Sequence, residues 1–535
     1  MFEKSHYTQF VLFFATGILL FSLTSCSDEK RIHSNYIPSN SCAVININTE
    51  KIFNDAVFDL MSNNDLGVNL SLLPLSSILQ DPSAAGLKVF AKYHIFMSGS
   101  SLLDAKIGAV LPLNDSEDLA EYVKDNFNVE VLEQDGFQAA KIFGIHNIVW
   151  DDYTAIYYFG ISDTSLIEEG KKFFLKSEKE SLASKDSTFY YALSKDVHIS
   201  TWIKNQDVFT LMNQIFLNGE KISPIDFVIK NNNTFTNGKT VFLTSFNKGN
   251  IAINQRQYIS SEQTPEENER IKENDISGLV PMAISENPLV LLRTTFEPNL
   301  FAEVVKLFGF DMDWASETPN FPFLSDINQL SDYFQGDFLV LVDDFEEVIR
   351  TKELPDLDDE GNDIMVSKQV KEKAPTVSVG LMVKDSIKFN FMLNLLSSKL
   401  PKVDGFFNYN NEAYFATKGN YFFLTSTKKG IKALNEMRGK LSSDLNSLIT
   451  ANQSVYYFDI DEILKQDERL NQFSIPGIYD LNSILFWNKS SVNKGIIESE
   501  TRVNFTNQQN SFVSTLKLLS ALFDTLNPSH SIGLQ

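Results

Sequence analysis

Apolar residues alternate with polar ones and then switch to helical spacing at two places along this chain. Ile107, Ala109, Leu111 and Leu113 alternate, Asp115-Ser116 follows, and Leu119, Val123 and Phe127 then share one helical face. Farther on, Val377, Val379, Leu381 and Val383 alternate, Asp385-Ser386 follows, and Phe389, Leu393, Leu396 and Leu400 recur at helical spacing. Successive side chains of a strand point to opposite faces, whereas a helix brings residues three and four apart together. An Asp at the junction is a natural N-cap. Both stretches therefore predict a strand, a turn and a capped helix, and their strands and Asp-Ser starts match at one common spacing.

The correspondence continues in order. The helical stripe Ile52, Phe53, Ala56, Val57, Leu60 returns as Leu300, Phe301, Val304, Val305, Phe308. Tyr157-Tyr-Phe-Gly-Ile-Ser returns as Tyr421-Phe-Phe-Leu-Thr-Ser, and Asn247-Lys-Gly-Asn-Ile as Asn493-Lys-Gly-Ile-Ile. A weaker pair is Ile199-Ser-Thr-Trp-Ile with Val455-Tyr-Tyr-Phe-Asp. Collinear matches at drifting spacings predict a duplication with insertions. The predicted fold is α+β, with two similar tandem halves over 36–262 and 277–535. Each is a mostly antiparallel sheet with a few packed helices, since short intervals such as Phe137–Phe143 and Asn147–Trp150 suit a meander. A polar linker, 263–276, separates them. The second half carries an acidic hairpin insert near 351–374, around Glu353-Leu-Pro-Asp-Leu-Asp-Asp-Glu-Gly-Asn-Asp. The closing helix from Ser511 is expected to pack its Phe512, Leu516, Leu519, Phe523 face on a sheet.

The first residues break this pattern. Phe10 to Ser25 are an apolar run behind a short polar start with Lys4, and Leu23-Thr24-Ser25-Cys26 has the form of a bacterial lipobox. Residues 1–25 are thus predicted as a lipoprotein signal peptide, with Cys26 as the lipid-attachment site and first mature residue. Acyl chains bury about 0.8 kcal/mol per CH2, so a multiply acylated terminus holds to the bilayer. Residues 26–35 are polar and aperiodic, a tether reaching at most about 30 Å. Ser27 after the lipidated Cys favours the outer membrane, on its periplasmic or outer face. Lipidation of Cys26 leaves Cys42 alone, in an apolar strand, as a buried small hydrophobe.

Charge and composition narrow the function classes. Lys and Arg number 46 against 69 Asp and Glu, a formal charge of -23, with 43% hydrophobic residues. A nucleic-acid partner would require a basic face, so none is expected. With 44 Phe, aromatics supply core area without disulfides. No closely spaced glycines form a phosphate loop, and no G-x-S-x-G elbow occurs. His33, His94, His146, His198 and His530 each stand alone, so no metal and no cofactor is expected.

Weaker candidates remain. Asp356-Leu-Asp-Asp-Glu-Gly361 opens like an EF-hand, but Ser367 occupies the place of the bidentate Glu. Asp311/Asp313 beside Trp314, and Asp459/Asp461, are formal acid–base pairs. Trp150-Asp-Asp-Tyr153, Trp202, Trp314 and Trp487 are formal glycan or protein contacts, with core packing as the plain alternative. Asp186-Ser-Thr188, Asp385-Ser-Ile387 and Asp524-Thr-Leu526 fit a short O-glycosylation pattern.

The chain resembles an uncharacterised family of duplicated Bacteroidetes-type lipoproteins, a domain of unknown function. Carrying the resemblance are Leu23-Thr-Ser-Cys26, Tyr36-Ile-Pro-Ser-Asn-Ser-Cys-Ala-Val-Ile, and the strand-Asp-helix units at Asp115 and Asp385. The acidic insert before Lys373-Ala-Pro-Thr-Val and the closing Asn510-Ser-Phe-Val also fit. It implies an envelope lipoprotein with an α+β body and carries over no catalytic residue. The expected function is a non-catalytic, membrane-anchored assembly component. Its partners are the bilayer and a protein or a glycan. The alternatives are a glycan- or ligand-binding surface lipoprotein, or a hydrolase with a non-local carboxylate site.

Overall fold

The computed structural model describes residues 32–62, 82–99, 105–143, 146–159, 166–174, 178–208, 210–211, 238–258, 279–295, 333–357, 363–409, 413–436, 439–466, 480–489 and 495–526. The signal peptide 1–25, most of the tether, the linker 263–276 and the Leu300 stripe lie outside them.

The described strands form one 20-stranded sheet in which every neighbouring pair is antiparallel. In chain order the first strands are β1 (Ser41–Asn48), β2 (Lys92–Ser98), β3 (Lys106–Pro112), β4 (Leu132–Gln134) and β5 (Phe137–Phe143). Next come β6 (His146–Trp150), β7 (Thr154–Phe159), β8 (Ile199–Lys204), β9 (Lys239–Asn247) and β10 (Asn250–Tyr258). The later strands begin with β11 (Val290–Thr295), β12 (Phe334–Leu357), β13 (Asp363–Val383), β14 (Lys402–Val403) and β15 (Phe406–Tyr409). They end with β16 (Ala413–Lys418), β17 (Tyr421–Thr425), β18 (Asn452–Asp459), β19 (Leu481–Lys489) and β20 (Ile496–Phe505).

Across the sheet the order is β4-β5-β6-β7-β3-β2-β1-β8-β9-β10, then β20-β19-β18-β11-β12-β13-β17-β16-β15-β14. Outward from the β10–β20 pair, the strands follow one another in corresponding chain order on both sides. That central pair runs from Asn250↔Asn504 to Tyr258↔Ile496, with Asn254 opposite Glu500. The expected pair of separate sheets is therefore one continuous sheet, because β10 and β20 satisfy each other's backbone groups instead of remaining edges.

Local chemistry explains several elements. The helices introduced here are α1 (Thr49–Ser62), α2 (Ser116–Phe127), α3 (Leu166–Phe174), α4 (Ser187–Ser194), α5 (Ser386–Leu396), α6 (Lys428–Glu436), α7 (Ser443–Ala451), α8 (Ile460–Gln466) and α9 (Ser511–Leu526). Asp115 caps α2 by accepting from the amides of Glu117 and Asp118, and Asp385 caps α5 from those of Ile387 and Lys388. Two tight hairpins use Asp-Gly: Asp135-Gly136 at φ 57 and 77, and Asp404-Gly405 at φ 50 and 90. Left-handed φ at both central residues matches the twist of the flanking strands.

The sheet is covered on both faces. In the first series α2 closes a core around Leu111, Ile148 and Trp150, and α3 and α4 close the opposite one around Val110, Tyr158 and Trp202. In the second series α5 closes the core holding Phe338, Val340 and Val379, and α6 and α7 the one holding Leu339, Leu341 and Val455. Leu339 to Leu341 are 0% exposed, so both faces of this strand are dry. Strands buried on both faces read as continuous apolar runs.

Beyond Phe345 and Pro375 the arms of β12 and β13 pair, among the described residues, only with each other, as far as Leu357↔Asp363. This ribbon projects from the sheet. Helix α9 is fastened at Asn510, whose side-chain amide donates to the carbonyls of Asp55 and Phe246. Ser511, Val513 and Ser514 consequently turn inward, while Leu519 is 42% exposed. The buried face differs from the expected Phe512–Leu516–Leu519 stripe because the anchor fixes the rotation of the helix. Phe512 still meets the Phe246 ring edge-on, at 5.2 Å.

Candidate functional site

Cys26 precedes the described residues, as do all but the last few residues of the tether. Cys42 is fully buried on β1, with its Sγ 3.4 Å from the Met97 carbonyl. Burial pushes its thiol up to about 11, which keeps it protonated at neutral pH.

Most other candidates are committed to structure. Trp150 and Trp202 are 0% and 1% exposed, and Trp487 is 8% exposed beneath the Arg502 guanidinium. The Trp202 indole N–H donates to Thr188 Oγ1 at 2.7 Å. Asp151 accepts from the amides of Tyr153 and Thr154, an Asx turn joining β6 to β7. Asp459 caps α8 through the Glu462 amide, and Asp461 pairs with Lys465 at 2.7 Å. Asp311, Asp313, Trp314 and His530 lie outside the described residues.

The O-glycosylation patterns fare likewise. Asp186 caps α4, accepts from the Thr188 hydroxyl and pairs with Lys239 at 2.6 Å. Asp385 caps α5. Only the backbone of Asp524-Thr-Leu526 is described, within α9.

In the EF-hand-like stretch, Asp356 and Ser367 belong to opposing strands, paired with Ile364 and Glu353. The tip, 358–362, lies outside the described residues. Strand pairing on both sides is incompatible with helix–loop–helix ligation.

The histidines are dispersed. His94 is buried opposite Asn46, its Nδ1 2.8 Å from Asn46 Oδ1, and Asn46 donates onward to Ser200. Burial holds His94 down at about 3, so it is neutral. His198 accepts the Phe246 amide on Nδ1 and faces Asp55 Oδ2 at 2.9 Å. Burial lowers its pKa, and Asp55 opposes that. His146 meets the Tyr157 hydroxyl, and His33 Nδ1 meets Thr154 Oγ1 at 3.0 Å. No group of three metal-ligating side chains occurs among the described residues.

Three arrangements were invisible in the sequence. Glu169, on α3, is buried against Lys106, with the Tyr158 hydroxyl left without a hydrogen-bond partner. Asp343, at the β12 bulge where the ribbon leaves the sheet, is 5% exposed and accepts from the amides of Ile284 and Ser285. Burial is the main cause raising its carboxyl to about 6. A groove of about 380 Å³ beside α2 is lined by Glu117, Glu121, Lys124, Glu133 and Gln138 among others. Its carboxylates disfavour anionic ligands. The three sites lie on different elements and share no residue.

No family model matches this chain, and no curated protein does. Among solved structures, a crystal form III of TP0453 matches at TM-score 0.28 and 7% identity, covering 43% of this chain and 80% of that one. Crystal form I of the same protein matches at TM-score 0.21 and 6% identity, covering 77% and 99%. Likeness at this level supports no functional argument. No helix among the described residues is long and apolar enough to cross a membrane.

Proposed function

We propose that this chain is a non-catalytic envelope lipoprotein, held at the outer membrane through an acylated Cys26 and acting as a protein-interaction or assembly component. In this reading the body is a tandem duplication of the Bacteroidetes-type lipoprotein family it resembles. The observation that carries it is the arrangement of the sheet. Outward from β10 and β20 the strands follow in the same relative chain order, and the spacing from Asn247 to Asn493 is also the spacing from Asn254 to its partner Glu500. Under a duplication Asn254 and Glu500 would be each other's counterparts, as a two-fold relation requires, and this supports the reading. The matching Asp caps and Asp-Gly hairpins support the same reading. A duplicated sheet offers two related surfaces, and the β12–β13 ribbon gives one of them a projecting arm. The lipobox Leu23-Thr-Ser-Cys26 supports the anchor.

The test is mild detergent solubilisation of native membranes, affinity capture of the tagged chain, and mass spectrometry. A stoichiometric protein partner is expected, together with an N-terminal peptide whose mass carries acyl chains. Recovery of the chain alone, as a monomer, overturns the assembly reading and turns attention to glycans. An unmodified terminus overturns the anchor.

A further inference from the structure

Helix α5 is apolar on two faces. One face packs inward: Phe389 and Leu393 are 0% and 1% exposed, and the Phe389 ring meets those of Tyr333, Phe334 and Phe422. The other carries Ile387, Phe391 and Leu395, four residues apart, at 84%, 73% and 65% exposed. Residues at that spacing line up along a helix, so these side chains form one stripe standing out from the surface. Lys388 on the helix, Lys384 before it and Lys399 and Lys402 after it are exposed, with the Lys402 ammonium 4.2 Å from the centre of the Phe407 ring. Asp385 is the one acid between Lys384 and Lys402, and its Oδ1 is engaged by the amides of Ile387 and Lys388.

Helix α2 is the control that the fold itself supplies. It has the same kind of cap and the same inward positions, Leu119 and Val123, both 0% exposed. Counted from the capping Asp, the places of Ile387, Phe391 and Leu395 are taken there by Glu117, Glu121 and Asp125. One helix therefore shows water a row of carboxylates, and the other an apolar row bordered by lysines.

We propose that α5 is an interfacial helix, which seats the Ile387–Phe391–Leu395 stripe at the acyl boundary of a bilayer bearing anionic headgroups. The lysine stems extend along the stripe and their ammonium groups reach the headgroup phosphates. Charge complementarity selects this occupant: lysines border the apolar row as phosphates border acyl chains. The stripe's side chains are largely exposed, as suits a fluid partner. Three side chains give weak, reversible attachment, so the contact orients a body already held nearby. It does not depend on acylation of Cys26.

The full chain with Cys26→Ser and Phe391→Cys is labelled with an environment-sensitive fluorophore, since Cys42 is buried. A Glu121→Cys partner serves as reference. Each is mixed with phosphatidylglycerol–phosphatidylethanolamine vesicles, with phosphatidylcholine vesicles, or with none. Expected is a blue shift at 391, with several-fold quenching by brominated acyl chains, in anionic vesicles and far less in phosphatidylcholine. The label at 121 stays in water. Adding Lys388→Glu and Lys399→Glu lowers the partition at 391 several-fold. A label at 391 that stays as wet as at 121 in anionic vesicles overturns the proposal. So does one already shielded without vesicles, which would mean that a second copy covers the face. Flotation of the unmodified chain reads the N-terminal anchor separately, so the two ideas fail independently.

Discussion

At the scale of single residues, side chains that looked reactive mostly hold the backbone. Asp115 and Asp385 each accept two amide protons at a helix start. Asp385→Ala is expected to cost about 1 kcal/mol of stability, read as a lower urea midpoint at unchanged slope. Gly170, on α3, has no room to grow: a Cβ there would lie 2.5 Å from Val149 side-chain atoms. Gly170→Ala is expected to lower the melting temperature by several degrees, equivalent to roughly 1–3 kcal/mol. The buried carboxyl of Asp343 gives a pH signature. Its folded pKa, about 6, lies above its ordinary value of 3.8, so the folded state holds the proton more tightly. That contribution favours folding below the ordinary carboxylate range and is lost as pH rises through about 6. Asp343→Asn can still accept from the Ile284 and Ser285 amides, so urea midpoints compared across that interval should show a smaller fall for the variant. His94 acts with the opposite sign. Its depressed pKa withdraws stability as pH drops below its ordinary 6.5 toward about 3.

At the scale of elements, the ribbon of β12 and β13 is the part that the sheet needs least. From Val348↔Glu372 to Leu357↔Asp363 its arms pair, among the described residues, with each other alone. Its base is tied in by Lys429, which pairs with Asp344 and Glu346, and by Gln466, which accepts the Phe345 amide. Replacing 348–372 by a short turn should leave the thermal midpoint within a few degrees of the parent, because shortening a loop changes closure entropy only slightly. A collapse of the near-ultraviolet circular dichroism would show instead that the ribbon supports the core.

At the scale of the whole molecule, β10 and β20 decide whether the body unfolds as one unit or two. Their pairing spans Asn250 to Tyr258 and includes Arg256 with Glu498. A proline at Gln255, in the interior of this pair, removes a ladder donor and its ring disrupts the neighbouring strand. Calorimetry of the parent is expected to give one transition, and Gln255→Pro two that are separated in temperature. Asn510 ties α9 to α1 and β9 across the same junction. Asn510→Ala should cost about 1–3 kcal/mol, because two carbonyls lose a buried donor.

The sequence by itself determined whatever depends on neighbours along the chain. Period and capping residues placed β3 with α2 and β13 with α5, and both Asp caps stand where expected. The segments matched in pairs, Ile199–Ile203 and Val455–Asp459, fall in β8 and β18, each the third strand counted outward from the β10–β20 pairing. Asp135-Gly136 and Asp404-Gly405 were also readable as hairpin turns, a dipeptide signal that the alternation overshadowed. Only the tertiary structure decided what depends on distant partners. Fusion of the strands into one sheet rests on β10 meeting β20 across nearly half of the chain, and hydrogen bonds between strands carry no local sequence mark. Burial of both faces of Leu339–Val342 depends on which helices pack above and below. The same holds for the stripe on α5. Helical spacing already put Phe389 and Leu393 on the core face, but only the tertiary structure shows that, among the described residues, nothing in the sheet covers the second apolar row, with Phe391 73% exposed.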